Sequence, residues 1–427
     1  MRPTNACLTV ILVLTIGHAA GLADDWPQWR GADRDGVWKE TGLIDRFDDE
    51  QIEIRWRQPI GPGYSGPTVA DGRVFVTDRQ TEPDQVERVH CFDSKLGSKL
   101  WTFSYPCVYT VSYTAGPRAT VTVEDNRAFV LGSMGHLHCL DVGGKLLWKR
   151  DLNQEFSLTK DRRMPIWGIA GAPLIYEDLV IVHIGGENAS IVAFNKKYGD
   201  LEWKAMRDRA QYSAPILIEQ AGQTVMVCWT GDSVAGLNPA TGEVFWRHPM
   251  APSRMPIGIA TPVVQGDRLF VTSFYDGSLM LRLRQDKLAV EQLWRRVGDS
   301  EQQTDALQSI ISTPLFKGDY IYGADSYGEL RCLKASSGDR VWEDLTATPR
   351  ARWSNLHFVQ NGDRTWLFNE RGELIICKLS PQGFDEISRA KLIEPTRNQL
   401  NRRNGVCWAH PAFADRHVFI RNDKEIV

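Results

Sequence analysis

The sequence has no block of like charge. Its 50 Lys+Arg against 53 Asp+Glu leave a formal net charge of -3 over 427 residues, so no strong field gathers nucleic acid or anionic lipid. It lacks H-E-x-x-H, G-x-S-x-G and Walker motifs, adjacent cysteines and any Cys/His spacing suited to zinc. "GGEN" (185–188) is a turn between strands, with no following helix to cradle a phosphate. No sustained helical period runs through the chain, which excludes a helical bundle. Beyond the first residues, no apolar run is long enough to span a bilayer.

Those first residues have the pattern of an export leader. Arg2 precedes the apolar run "CLTVILVLTI" (7–16), and the small residues of "GLA" (21–23) stand before Asp24. This predicts a signal peptide over 1–23 and a mature domain over 24–427, periplasmic or secreted. Cys7 opens the apolar run instead of following it as in a lipobox, so no lipid anchor is expected. Seven of the 8 Cys remain after cleavage, an odd number that fits a disulfide framework poorly.

What the chain does have is a repeat. "GLNPATGEVFW" (236–246) ends one apolar strand, turns on Pro239 and Gly242, and starts another. The same turn recurs in "HCFDSKLGSKLW", "HCLDVGGKLLW", "VAFNKKYGDLEW" and "RCLKASSGDRVW". Its closing residues are Trp56, Trp101, Trp148, Trp203, Trp246, Trp294 and Trp342, although the version ending at Trp294 lacks the Gly. In "ICKLSPQGFDEI", Gly383 is kept and Ile387 takes the Trp place. Between these lie small-small-Pro starts, "SGP", "AGP", "GAP", "SAP", "ATP", "STP" and "AHP", each leading into an apolar strand. Four short strands per unit, many times over, predict an all-β, eight-bladed β-propeller. After Ile387 the chain supplies three more strands, and "IEIRWRQ" (52–58) is expected to add the fourth, closing the ring and removing both sheet edges. No Trp is followed by Asp, which excludes the WD-repeat version.

The pattern A-x-D/N-x-x-T-G-x-x-x-W, nearest at 235–246, resembles the tryptophan-docking repeat of pyrroloquinoline-quinone (PQQ) propellers. That superfamily includes BamB-type assembly factors and quinoprotein alcohol dehydrogenases. "DWPQWRGADRDG" (25–36) also resembles the start of secreted PQQ-repeat-like proteins of planctomycete-type bacteria. The resemblance implies a girdle in which each of the seven Trp docks on the next blade. It places Cys91, Cys139, Cys332 and Cys377 at one small-residue position of the third strand, with Ala193 and Gly236 in other blades. Thiols there are expected to be buried and reduced.

The family's enzymes use PQQ, a calcium ion, a catalytic Asp and often adjacent cysteines. No Asp and calcium-ligand set aligns onto this chain, so no catalytic, metal or cofactor residue is assigned and no cofactor is expected. The reading is an exported, non-catalytic scaffold or binding protein, a monomer, whose protein partner or small ligand sits at the channel mouth. A PQQ-dependent dehydrogenase is the alternative. The irregular loops "RMPIWGIAGAP" (163–173), "RMPIGIATP" (254–262) and "RWSNLHF" (352–358) supply the expected exposed rim: Arg118, Trp167, Arg254, Trp353, His357, Trp408 and His410.

Overall fold

The computed structural model describes residues 24–400 and 404–427; the expected leader lies outside them. Alternating apolar strands and tight turns build seven antiparallel sheets of four strands each, spanning 68–106, 122–151, 174–205, 216–249, 263–296, 315–344 and 356–391. Two-residue turns join the innermost strand to the second. Asp71–Gly72 and Asp125–Asn126 hold positive φ at both positions, the twist that suits a hairpin. Core clusters lie between successive blades, as between Phe75, Cys91 and Val130.

The eighth blade is made from both ends of the chain. Ala412–Ala414 pairs with His417–Phe419, and Glu425–Ile426 pairs with Gln58–Pro59. Mutual backbone bonds between Ile420 and Val427 join the two halves. The innermost strand of blade 1, Thr68–Ala70, lies against Ala412–Ala414 of blade 8, so the ring closes. Of the expected outer strand 52–58 only Gln58 pairs with blade 8, beside Pro59, while Ile52 N–H donates to the Lys391 carbonyl of blade 7. At the seam Arg421 is fully buried and donates to the carbonyls of Thr77 (3.0 Å) and Gly61. Buried Asp78 accepts Arg88 at 2.7 Å through both oxygens and lies 2.9 Å from His90 Nε2. Burial alone would raise the Asp78 pKa, but His90 and Arg88 hold it below the usual carboxylate range.

The girdle forms. The indole N–H groups of Trp56, Trp101, Trp148, Trp294 and Trp342 donate to the next blade's turn carbonyls, at Ser94, Val142, Lys196, Ala335 and Ser380. Burying each ring stabilises the interface by on the order of 2–3 kcal/mol. Gly97 is required beneath one of these rings: its φ is +67° and a Cβ would stand 2.5 Å from Trp56. Trp246 differs, because the next turn lacks this glycine. Gln220 accepts its N–H at 2.9 Å and itself donates to the Arg284 and Ala289 carbonyls, relaying the missing contact. The buried Trp203 N–H has no partner among the described residues.

A bulge follows the residue opposite each girdle Trp from Trp101 to Trp342, as between Cys91 and Phe92, Cys139 and Leu140, and Cys332 and Leu333. Blade 7 breaks the expected register. There Ile376 faces Ser388 and the bulge falls before Cys377. The equivalent positions are therefore Ile376 and Ser388, not Cys377 and Ile387. A one-residue slip turns a side chain to the other face: Cys377 packs with blade 6, beside Cys332, while Ile376 packs towards blade 8. Gly383 likewise approaches no tryptophan.

Residues 26–38 cross one end of the central channel. Trp26 exchanges backbone bonds with Val69, Pro27 accepts Val123 N–H, and Trp29 Nε1 donates to Thr261 at 2.8 Å. Arg34, 4 % exposed, reaches the carbonyls of Ala172, Pro173 and Pro215. Gly36 and Trp38 bond to Gln360. Trp26 and Trp38 pack on Phe413 of blade 8, so the plug touches blades 1, 2, 3, 4, 5, 7 and 8. Arg34→Met strips donors from buried carbonyls and is expected to cost about 3 kcal/mol, read as a lower urea midpoint. A loss below about 1 kcal/mol would show that the plug is not structural.

All seven cysteines among the described residues are buried and free. Burial pushes the Cys91 and Cys139 thiols up to about 12 and Cys332 to about 11. A chain beginning at Asp24 is expected to leave a disulfide thiol reagent unreacted at pH 8 when native and to titrate all seven thiols once unfolded. Rapid native reaction of any of them would contradict this burial.

Candidate functional site

The inner strands of seven blades are entered through the small-small-Pro pattern, and that of blade 7 through Ser354 and Asn355, with His357 where the Pro would stand. Small residues are needed because neighbouring backbones touch. A Cβ on Gly66 would stand 2.1 Å from the His410 carbonyl oxygen. The position three residues before the Pro faces the axis in six blades: Tyr64, Ala170, Tyr212, Ile259, Ile311 and Trp408. Together with the plug's Trp29 they enclose a chamber of about 140 Å³.

Six of the seven expected rim residues line this chamber: Arg118, Trp167, Trp353, His357, Trp408 and His410. Arg254 does not. It is exposed and stacks over Tyr275 at 4.8 Å. Only Arg118, Trp167 and Trp353 are part-exposed, whereas His357, Trp408 and His410 are buried inside. The exposed rim of the sequence reading is therefore the wall of a recess. The plug covers its far end, which the sequence pattern does not reveal.

The sequence reading missed Trp29, Tyr64, Tyr113 and Tyr212. Tyr64 and Tyr212 share the position three before Pro with Trp408, so that recurrence was the available signal. Tyr113 touches Trp167 (5.6 Å, 89°), Trp353 (5.5 Å, 64°) and Trp408 (6.3 Å). Tyr113 and Trp353 both hold positive φ, 59° and 66°. Bulky side chains rarely adopt that backbone, and it is tolerated where surrounding structure imposes it.

Three arginines lie along the axis. Arg118 donates to the Gly116 and Tyr113 carbonyls, both at 2.6 Å, and sits 4.9 Å over the Tyr64 ring. Arg30 is buried and donates to the Asp35 carbonyl at 2.7 Å. Among the described residues, none of Arg30, Arg34 and Arg118 forms an ion pair with a carboxylate. Among the described residues, no Asp or Glu lines the chamber.

Both chamber histidines are held neutral by burial. His357 is pushed down to about 4, and His410 well below its ordinary value, by desolvation and then by His357 beside it. His357 Nε2 donates to the Trp408 carbonyl (3.0 Å) and His410 Nδ1 to that of Pro411 (2.5 Å). The other nitrogen of His410, Nε2, is buried without a partner among the described residues, as is Trp353 Nε1.

A family model described as outer membrane protein assembly factor BamB matches residues 85–344 and, overlapping, 256–424. The chain belongs to this BamB family of PQQ-repeat propellers. BamB from Shewanella oneidensis is 22% identical over 232 residues, covering 53% of this chain and 56% of that one. BamB from Burkholderia pseudomallei is 28% identical over 211 residues, covering 47% and 46%. The chain thus spans about half the length of the curated BamB relatives it matches. Among solved structures, BamB from Moraxella catarrhalis superposes with TM-score 0.56 at 16% identity, covering 87% of this chain and 96% of that one. A quinohemoprotein alcohol dehydrogenase from Comamonas testosteroni gives 0.61 at 12%, covering 94% and 80%. A europium-containing methanol dehydrogenase gives 0.62 at 13%, covering 93% and 89%. At these identities the structural likenesses speak for the fold alone. No helix among the described residues is long and apolar enough to cross a membrane.

A histidine whose folded pKa is depressed binds its proton more readily in the unfolded chain. Stability is therefore complete above about pH 6.5 and falls as the pH drops towards 4, levelling off below the folded value. For His357 the loss is on the order of 3 kcal/mol. The melting temperature is expected to drop across this window and to drop less in His357→Gln. An unchanged acid slope in that variant would place the effect elsewhere.

Proposed function

We propose that this chain is an exported, non-catalytic propeller that acts as a binding scaffold in cell-envelope assembly, taking its partner or ligand at the mouth of the chamber. The observation that carries the reading is the site itself: a recess with aromatic walls and one arginine, covered at one end, in a chain whose curated relatives are named outer membrane assembly factors. Aromatic and arginine side chains are the usual anchors of binding sites.

A PQQ-dependent dehydrogenase is the reading the structural neighbours bring with them, and the residues here do not fit it. Calcium takes six to eight oxygen ligands, largely carboxylates, and the chamber wall has none. The carboxylate base that the resemblance implies, which would share the work of oxidation with the metal, is likewise missing from that wall among the described residues. A volume of about 140 Å³ is small for a three-ring quinone with three carboxylates.

A photo-crosslinking residue at Ile166, which is 56% exposed and adjoins Trp167, is expected to capture an outer-membrane assembly protein in cells. The same residue at Leu96, 75% exposed on an outer turn, is not. The dehydrogenase reading replaces this one if the protein, loaded with PQQ and Ca²⁺ and desalted, retains quinone absorbance and reduces a dye with an alcohol.

A further inference from the structure

Three features of the chamber bear on what it holds: its size, its charge and its unpaired polar atoms. Its volume of about 140 Å³ is close to that of an engineered apolar cavity of about 150 Å³ that binds benzene. One aromatic ring fits such a space, with the flanking rings offering edge and face contacts.

The charge pattern selects among one-ring ligands. An aromatic cage without acids is a receptor for quaternary ammonium groups when nothing positive is nearby. Here Arg118 stands in the wall, and Arg30 and Arg34 lie in the plug, all three bonded to carbonyl or amide oxygens and none paired with a carboxylate. Three of the five Arg118 N–H groups reach backbone carbonyls, at Gly116, Ser112 and Tyr113, which leaves donors for an anion. Cations are disfavoured on the same grounds.

The unpaired atoms add a direction. Buried polar atoms are usually satisfied, yet Trp353 Nε1 and His410 Nε2 are not. Trp353 offers a donor. His410 donates through Nδ1 to Pro411, so in its neutral form Nε2 is an acceptor. Arg118 belongs to the part-exposed mouth, while His410 is buried against the plug's Trp29 at 5.1 Å. A ligand with an anionic end outward and a hydroxyl inward meets both.

We propose that the chamber binds a one-ring aromatic carboxylate, its ring among Tyr113, Trp167, Trp353 and Trp408 and its carboxylate at Arg118. A hydroxyl opposite the carboxylate is received by His410. The proposal rests on the mouth being a binding site and adds the class of ligand.

Benzoate, 4-hydroxybenzoate, benzyl alcohol and benzylammonium are titrated into the chain beginning at Asp24 at pH 7.5, followed by tryptophan fluorescence and calorimetry. The carboxylates are expected to bind at least about ten-fold tighter than benzyl alcohol, 4-hydroxybenzoate tightest, and benzylammonium weakest. Arg118→Met removes the preference of benzoate over benzyl alcohol. Ala170→Phe, at the part-exposed, axis-facing position three before Pro173, fills the chamber, abolishes binding of every probe while the chain still melts cooperatively, and keeps the test decisive if the arginine variant misfolds. No carboxylate binding at 10 mM (about a hundred times a weak 0.1 mM Kd), equal binding of benzylammonium, or full binding by folded Ala170→Phe would overturn the proposal. Capture of a partner through Ile166 without carboxylate binding would sink the ligand assignment and leave the scaffold reading standing. Carboxylate binding without capture would do the reverse.

Discussion

Each blade is a sheet with apolar side chains on both faces, and only a closed ring covers both. Everything else in the molecule serves that closure. The eighth blade has Gln58–Pro59 as its outermost strand, so the first and last parts of the chain must meet before the blades at the seam are covered on both faces. The Arg421 and Asp78 bonds sit at this seam, where the ring has no continuous backbone to hold it. A ring joined by a two-residue ladder needs such reinforcement.

The N-terminal segment meets a second demand of the same geometry. Inner strands converge on an axis, and the carbonyls of Ala172, Pro173 and Pro215 turn towards it. Arg34 and Trp29 bring donors there. The consequence is an axis with positive charge buried beneath an aromatic chamber. Desolvation makes a guanidinium costly there, and the carbonyl oxygens offset it without neutralising it. The chamber's chemistry therefore follows from how the channel is sealed.

Strand order, turn positions and the tryptophan girdle were legible in the sequence because each is local: alternating residues, a turn of fixed length and one large ring per repeat. The reading went astray where a single backbone irregularity decides the outcome. In blade 7 the bulge precedes Cys377 instead of following it, and that one residue reverses which neighbour the thiol meets. Trp246 is another case. Its partner depends on Gln220, a residue remote in sequence whose amide happens to span the gap. Of the expected rim, six residues converge because they sit on equivalent loops at one end of the ring. Arg254 precedes its strand by more residues and points away to Tyr275.

The sequence by itself determined an eight-bladed ring of four-stranded sheets, its closure by the N-terminal strand, and the loops that meet at the channel mouth, since periodicity and turn chemistry are properties of neighbouring residues. Tertiary structure alone decided that residues 26–38 plug the channel, that Tyr64, Tyr113 and Tyr212 join the wall, and that His357 and His410 are buried and neutral. These depend on which backbones approach across the axis from blades far apart in the chain, and a convergence of that kind leaves no periodic trace in the residues that take part in it.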